Sequence, residues 1–255
     1  MLIAHLALVC IDFAIYISAS VRECSNNVMV GFWRWRDQYQ RGGEVRKHTF
    51  DSDDVCIETT EIVYRGFFKM LRYSLRHRLF GGGWSRLLKR ELFQRGDAVG
   101  VLLYDPQNDT LGLVEQFRIG ALQHAEGPWQ YEVVAGMVDA GECPTEVARR
   151  ELQEEAGIDV ERLVPICDYL VSAGGSDEKM YLFCGLTDLT ARGGVFGLST
   201  EAEDIFFQVW SYPEVEAAFA GGQMNSAAMT IAWLWLQQNR VRLRGDHAPL
   251  DVYMT

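Results

Sequence analysis

The feature that most constrains this chain is a cluster of glutamates near the end of one predicted helix, residues 144–156. Glu151, Glu154 and Glu155 lie three and four residues apart, so their side chains share one face of that helix. Like charges at this spacing destabilise an isolated helix by roughly 0.2–0.5 kcal/mol per pair, and the helix dipole disfavours negative charge in the last turns. Local preferences that are violated together tend to mark a functional site.

The residues beside these glutamates indicate how the carboxylates would be used. A helix turns by about 100° per residue, which places Glu151 and Glu155 next to an apolar stripe on the same helix. That stripe consists of Ala148, Leu152 and Ala156. A bound cation would offset the two charges, and oxygen ligands without His or Cys favour Mg²⁺, with Mn²⁺ as the alternative, over zinc. Taken alone, the glutamates could equally form a solvated acidic helix face.

The spacing of the whole segment from Gly136 to Ile158 resembles a known signature. It reads GMVDAGECPTEVARRELQEEAGI, which matches the Nudix signature G-x5-E-x7-R-E-U-x-E-E-x-G-U (U is a bulky apolar residue) at every specified position. Nine constrained positions over 23 residues are far more specific than a lone glycine motif. The chain therefore resembles the Nudix hydrolases. The resemblance and the order of strands and helices together predict an α+β or α/β Nudix fold, with a mixed sheet sandwiched by helices.

The resemblance also implies a metal site. Glu151 and Glu155 would be the principal ligands, joined by the backbone carbonyl of Ala135. Glu154 would support them in catalysis. The implied cofactor is Mg²⁺, or alternatively Mn²⁺.

Three residues of the signature are expected to orient this site. Gly136 ends a strand and would let the following loop turn tightly. Glu142 would close that loop against the helix. Arg150 lies away from the apolar stripe, where it could pair with the loop acids and hold them in place.

The likeness reaches beyond the signature, over about Glu61 to Gln238, to the bacterial ADP-ribose pyrophosphatases. One departure is Ala173, which stands where the family commonly has proline and would loosen its loop without removing a functional side chain. The matching pieces are YRGFF (64–68), RHRLF (76–80), RELF before RG (90–96), VEQFRIGA (114–121), PWQYEVVAGM (128–137), SAGGSDE (172–178) and GLSTEAEDI (197–205).

This second likeness implies substrate contacts outside the signature. Phe67 and Arg90 would hold the adenine end, Arg118 would contact the diphosphate, and Glu178 would lie near the terminal ribose. Against these roles, Phe67 could be a core residue and the two arginines could be ordinary surface cations.

The catalytic base is expected from the loop 197–205. It aligns with Glu201, and Glu203 is the alternative. The competing interpretation is a solvated acidic loop.

Together the resemblances imply metal-dependent hydrolysis of ADP-ribose to AMP and ribose 5-phosphate. One alternative is a Nudix hydrolase of another nucleoside diphosphate sugar, such as GDP-mannose. Another is a non-catalytic ADP-ribose sensor, which the sequence disfavours because sensors tend to lose the glutamates of the signature. All four are present here: Glu142, Glu151, Glu154 and Glu155.

Three segments are expected along the chain. Residues 1–50 form a leader and an irregular extension, residues 51–97 a β-rich N-terminal module, and residues 98–245 the Nudix hydrolase domain. By resemblance, the N-terminal module is exchanged across a homodimer and helps to build the partner's substrate site. Within the last segment the pattern predicts a turn at 105–109, strands near 163–172 and 179–186, and an apolar helix near 225–243 with Trp233 and Trp235 in the core.

Composition excludes some classes of partner. The net charge is −11, and no basic patch of the kind that binds nucleic acid stands out. The apolar stretch 1–19 has the length of a short membrane span, but His5 and Asp12 interrupt it and a basic signal-peptide region is missing. We favour a start of translation at Met29. The six cysteines form no C-x-x-C pair, which indicates reduced thiols in a cytoplasmic protein without a membrane partner.

Overall fold

The computed structural model describes residues 47–160 and 162–245, with the backbone alone at Glu201. The three interpretations of the first stretch, and most of the extension 1–50, therefore lie outside the described residues. Within the described residues, no helix is both long enough and apolar enough to cross a membrane. The cytoplasmic location stays a prediction.

The first part of the described chain is a separate three-stranded antiparallel sheet. Its strands follow each other in chain order: β1 (Val55–Arg65), β2 (Lys69–His77) and β3 (Leu88–Gln94). The β-branched and aromatic richness of this region predicted strands, which is confirmed. Nearly every side chain of β1 is exposed.

An eight-stranded mixed sheet forms the centre of the rest of the chain. Six strands run in the order β10-β11-β5-β4-β9-β8, and only the β4/β9 pair is parallel. The strands are β4 (Ala98–Asp105), β5 (Thr110–Phe117), β6 (Trp129–Glu132), β7 (Val134–Met137), β8 (Arg162–Leu170), β9 (Lys179–Leu186), β10 (Gly194–Phe196) and β11 (Ile205–Ser211).

The strands β4 and β5 separate beyond their connecting turn, and this separation positions β7, the strand in which the signature begins. The two strands pair with each other only next to their connecting turn, at residues 103–105 of β4 and 110–112 of β5. Farther from the turn β4 pairs with β7, and β5 pairs with β6. The strand β7, in which the signature begins, therefore pairs with β4 in the opening of the sheet.

Helices cover both faces of this sheet. The helix α1 (Pro144–Ala156) packs on one face, while α2 (Tyr212–Ala220) and α3 (Ala227–Arg244) pack on the other. This arrangement confirms the predicted fold class. Short 3-10 helices lie at Ser52–Asp54, Ile119–Ala121 and Ser199–Glu201.

The ends of α1 follow the sequence signals. Pro144 occupies the first turn, and Gly157 ends the helix in the left-handed region at φ 62°. In α3, Trp233 is fully buried and Trp235 is partly buried against the same core, so the prediction that both are core residues holds. Cys56, Cys167 and Cys184 are free thiols, as expected for these three.

Candidate active site

Two glutamates of α1 are buried against the strand that precedes it. Glu151 is 8% exposed and Glu155 is 3% exposed, which confirms that both border the core. The backbone N–H of Ala135 in β7 donates a hydrogen bond to Glu155 Oε2 at 3.0 Å. The helix and the strand thus bring together the two carboxylates and the backbone atoms of Ala135.

Gly136 has a different structural role from the predicted one. It lies inside β7 rather than at a turn, and its φ is not positive. A Cβ atom at this position would lie 2.0 Å from Glu151 Oε1, so glycine is required to make room for that carboxylate. The expectation of a tight turn at Gly136 is therefore wrong, because the positive φ in the following loop belongs to Gly141, at 90°.

Arg150 links the acidic side chains on the outer side of this site. Its guanidinium lies 2.9 Å from Glu151 Oε1, 3.3 Å from Glu154 Oε2 and 3.6 Å from Glu142 Oε2. Glu142 also accepts a hydrogen bond from the backbone N–H of Asp139 at 3.0 Å, which closes the loop before α1. These contacts are the ones predicted for Glu142 and Arg150.

The electrostatics of Glu155 favour a bound cation. The pKa of its carboxyl is raised to about 8, mainly by burial; the negative charges of Glu151 and Glu203 also raise it, and the hydrogen bond from the Ala135 N–H opposes them. Within the described residues, no three His, Cys, Asp or Glu side chains are spaced to hold a metal. The oxygens of Glu151, Glu155 and Ala135 nevertheless fit a hard divalent cation, because two carboxylates and one carbonyl suffice when substrate and water supply the remaining ligands.

The loop between β10 and β11 is fastened to α1. The Gly197 N–H donates to the backbone oxygen of Glu154 at 3.1 Å, and the Leu198 N–H donates to Glu203 Oε2 at 3.1 Å. Glu203 therefore stabilises the conformation of the loop, and its negative charge raises the pKa of Glu155. Glu201 lies in the 3-10 helix of this loop, and its side chain is outside the described structure.

Arg118 approaches the site from the end of β5. Its Nε lies 2.6 Å from Glu132 Oε2 on β6, and its charge lowers the pKa of Glu155 against the larger effect of burial. Sequence reasoning missed Glu132. The sequence gives no signal for it, because β6 (WQYE) alternates aromatic and polar residues and Glu132 fits that ordinary strand pattern.

Comparison with known proteins identifies the family. The model of the NUDIX domain matches residues 94–225, which is about half of the chain. The chain belongs to the NUDIX domain family.

Relatives of this Nudix protein include an ADP-ribose pyrophosphatase of Escherichia coli (strain K12). It is 42% identical over 200 residues, covering 78% of this chain and 96% of that protein. A GDP-mannose pyrophosphatase of Yersinia pestis is 30% identical over 124 residues, 48% of this chain and 62% of that protein. A solved structure of an ADP compounds hydrolase superposes with a TM-score of 0.54 at 21% identity, covering 73% of this chain and 97% of its own, and supports the fold.

In this Nudix protein, Glu178 is buried at the junction of the two sheets. It forms an ion pair with Arg95, which lies in the linker from β3 to β4. Next to it, Asp177 Oδ1 accepts hydrogen bonds from the backbone N–H groups of Arg95 and Gly96, at 2.8 and 3.3 Å. Sequence reasoning missed Arg95, and a role of Glu178 at the terminal ribose stays a prediction.

Phe67 lies in the turn between β1 and β2 of this Nudix protein, and Arg90 lies on β3. Phe67 is 86% exposed and contacts Phe68 edge-on, with ring centroids 4.7 Å apart, so the alternative of a core residue is wrong. Arg90 is exposed and donates to the backbone oxygen of the adjacent Lys89 at 2.9 Å. Both side chains are therefore open to contact with another molecule.

Proposed function

We propose that this protein hydrolyses the diphosphate of ADP-ribose to give AMP and ribose 5-phosphate. The observation that carries the proposal is the buried pair Glu151 and Glu155, held against Ala135 and Gly136 within a complete Nudix signature. The ADP-ribose pyrophosphatase of Escherichia coli, which aligns over most of the chain, supports this choice of substrate. The GDP-mannose pyrophosphatase aligns over less than half of the chain, so GDP-mannose is the second candidate.

The cofactor of this reaction would be Mg²⁺, with Mn²⁺ as the alternative. Glu151, Glu155 and the carbonyl of Ala135 would hold it. When bound, the cation supplies charge stabilisation to the diphosphate oxygens and favours deprotonation of water.

The side chains around Glu151 and Glu155 would bind the diphosphate, accept a proton and orient their neighbours. Arg118 would bind the diphosphate, exchanging or sharing its pairing with Glu132. Glu201 would accept a proton from the water that attacks one phosphorus, while the bond from that phosphorus to the bridging oxygen breaks. Glu154 would keep Arg150 in place, since it lies one helical turn from it and contacts its guanidinium.

We also propose that the chain forms a homodimer in which the three-stranded sheet completes the partner's site. Val55, Ile57 and Tyr64 of β1 are exposed, which is unusual for apolar residues of a sheet. Phe67, in the turn between β1 and β2, would stack on the adenine end of the substrate, and Arg90 on β3 would contact it. Glu178 would lie near the terminal ribose.

The proposed reaction is tested with a panel of ADP-ribose, GDP-mannose, NADH, diadenosine polyphosphates and 8-oxo-dGTP. Release of AMP that is fastest with ADP-ribose, requires Mg²⁺ and stops with EDTA is the expected result. A preference for GDP-mannose would retain the Nudix chemistry and overturn the substrate. Binding of ADP-ribose without cleavage of any compound would instead identify a sensor.

The shared site is tested by mixing two inactive variants. Glu151→Gln removes a metal ligand and Arg90→Ala removes the contact that would come from the partner. After unfolding and refolding together, random pairing makes half of the dimers mixed, each with one intact site, so roughly a quarter of the wild-type activity should return. A monomer in analytical ultracentrifugation, or no recovery of activity, would contradict the exchange.

A further inference from the structure

Gln116 of β5 carries a buried amide that has no partner. Its side chain is 7% exposed, and its Nε2 makes no hydrogen bond to any residue that the structure describes. It is the only buried side-chain nitrogen or oxygen in the described residues of which this is true. Leaving a buried donor unpaired costs roughly 1–3 kcal/mol, so an unpaired amide in a folded protein calls for an explanation.

The residue opposite Gln116 shows that the environment can satisfy such an amide. Gln130 of β6 faces Gln116 in the β5/β6 ladder and is almost equally buried, at 8% exposed. Its Nε2 donates to the backbone oxygen of Gly127 at 2.6 Å. Of these two paired glutamines, only Gln116 has an Nε2 without a hydrogen-bond partner among the described residues.

The alternation along β5 places Gln116 on the side of the sheet that carries α1. Leu113 packs into the core under α2 and α3, whereas Val114 packs into the core under α1. Because side chains two residues apart share a face, Gln116 lies on the same face as Val114. Glu132 pairs directly with Val114 and so shares this face as well.

The charged neighbours on this face belong to the candidate active site. Arg118 is two residues beyond Gln116, and its Nε lies 2.6 Å from Glu132 Oε2; the helix α1, which carries Glu151 and Glu155, packs on this same face. The unpaired amide of Gln116 thus lies on the same face of the sheet as Arg118, which is expected to bind the diphosphate.

We propose that Gln116 is a further substrate-binding residue, whose Nε2 donates a hydrogen bond to an oxygen of the substrate diphosphate beside Arg118. This inference rests on the proposed function and extends it. The amide nitrogen can only donate, and phosphate oxygens can only accept, so the two are complementary. A neutral donor also adds binding without adding another buried charge.

The test replaces Gln116 by methionine, which has a similar length and no donor. The matched control is Gln130→Met, which removes an amide whose hydrogen bond is internal. The value of kcat/KM for ADP-ribose with Mg²⁺ should fall about 10- to 100-fold in Gln116→Met, the range for losing a hydrogen bond to a charged group, with most of the loss in KM. Gln116→Met should keep or raise the Tm, whereas Gln130→Met should lower it.

A second measurement separates this inference from the proposed reaction. ADP carries the same diphosphate, and the rise in Tm that ADP with Mg²⁺ produces is measured for each protein against its own unliganded Tm. Gln116→Met should lose most of that rise and Gln130→Met should keep it, even if wild-type protein proves not to cleave ADP-ribose. An unchanged rise, or a fall in kcat with KM unchanged, would overturn the assignment of Gln116 to the diphosphate.

Discussion

Gly136 and Glu151 are in such close contact that a Cβ on the glycine would lie 2.0 Å from the Oε1 of the glutamate. The Gly136→Ala variant must therefore displace the carboxylate that we assign to the metal. We expect activity on ADP-ribose to fall at least about 100-fold, because a shift of about 1 Å in a catalytic group can have this effect.

The control for this variant is Gly81→Ala. A Cβ at Gly81 meets no atom within 4 Å, and its φ is not positive. Gly81→Ala should keep wild-type activity and change the free energy of unfolding by no more than about 0.5 kcal/mol. Full activity of Gly136→Ala would show that the Glu151 carboxylate can move without consequence, which would contradict its assignment as a ligand.

We expect metal binding to depend on the charge of the buried pair Glu151 and Glu155. Glu151→Gln and Glu155→Gln keep the shape of each side chain, and the amide oxygen of a glutamine at 155 can still accept from Ala135. We expect each variant to fold normally, to lose nearly all activity and to bind Mn²⁺ at least about tenfold more weakly in calorimetric titration. Glu146→Gln, an acidic residue in the first turn of the same helix, is the control and should bind Mn²⁺ like the wild type. Equal affinity in all three variants would place the metal elsewhere.

The two candidate bases differ in what their carboxylates hold. Glu203 accepts the Leu198 N–H at 3.1 Å, and a glutamine would keep that hydrogen bond. We expect Glu201→Gln to lower kcat about 10²–10⁴-fold, as loss of a general base does, and Glu203→Gln to lower it about tenfold or less. Steady-state kinetics with ADP-ribose decide between them, and the reverse order would make Glu203 the base.

Asp109 anchors the turn between β4 and β5 to the helix on the far side of the sheet. Its carboxylate pairs with Arg240 and, at 2.7 Å, with Arg244, and it accepts a hydrogen bond from Tyr104 Oη at 2.8 Å. The hydrogen bond from Arg240 holds the pKa of Asp109 well below its ordinary value, with Tyr104 and Arg244 acting in the same direction against burial. Asp109→Asn keeps a residue that tolerates the observed φ of 59° and removes only the charge.

The effect of Asp109→Asn should depend on pH in a defined direction. A carboxyl whose pKa is lower in the folded than in the unfolded protein adds stability above its unfolded pKa of about 3.9, and this is lost as the pH falls toward the folded pKa. In urea denaturation, Asp109→Asn should lower the free energy of unfolding by about 1–3 kcal/mol at pH 7. This loss should be unchanged down to about pH 5 and smaller near pH 4. The control Asp159→Asn removes a surface ion pair, 3.8 Å from Arg149, and should have little effect at either pH. A loss of unfolding free energy that grows as the pH falls would contradict the lowered pKa of Asp109.

The helix α1 and the burial of its two glutamates follow from local pattern. The spacing of Glu151 and Glu155 fixes them on one helical face next to an apolar stripe, and burial of that stripe necessarily carries the carboxylates to the core border. Pro144 and Gly157 set the ends of the same helix through backbone conformation alone. Such features depend on residues within a few turns of each other, so the sequence by itself determined them.

Other features depend on which strands become neighbours. The separation of β4 from β5 brings Glu132 to Arg118 and lets β5 pair with β6, and no local periodicity encodes that pairing. The sequence predicts a turn at Gly136 because glycine allows unusual backbone conformations, whereas the requirement for glycine comes from a carboxylate fifteen positions later in the chain. Close approach between distant segments is a property of packing, and only the tertiary structure decided it.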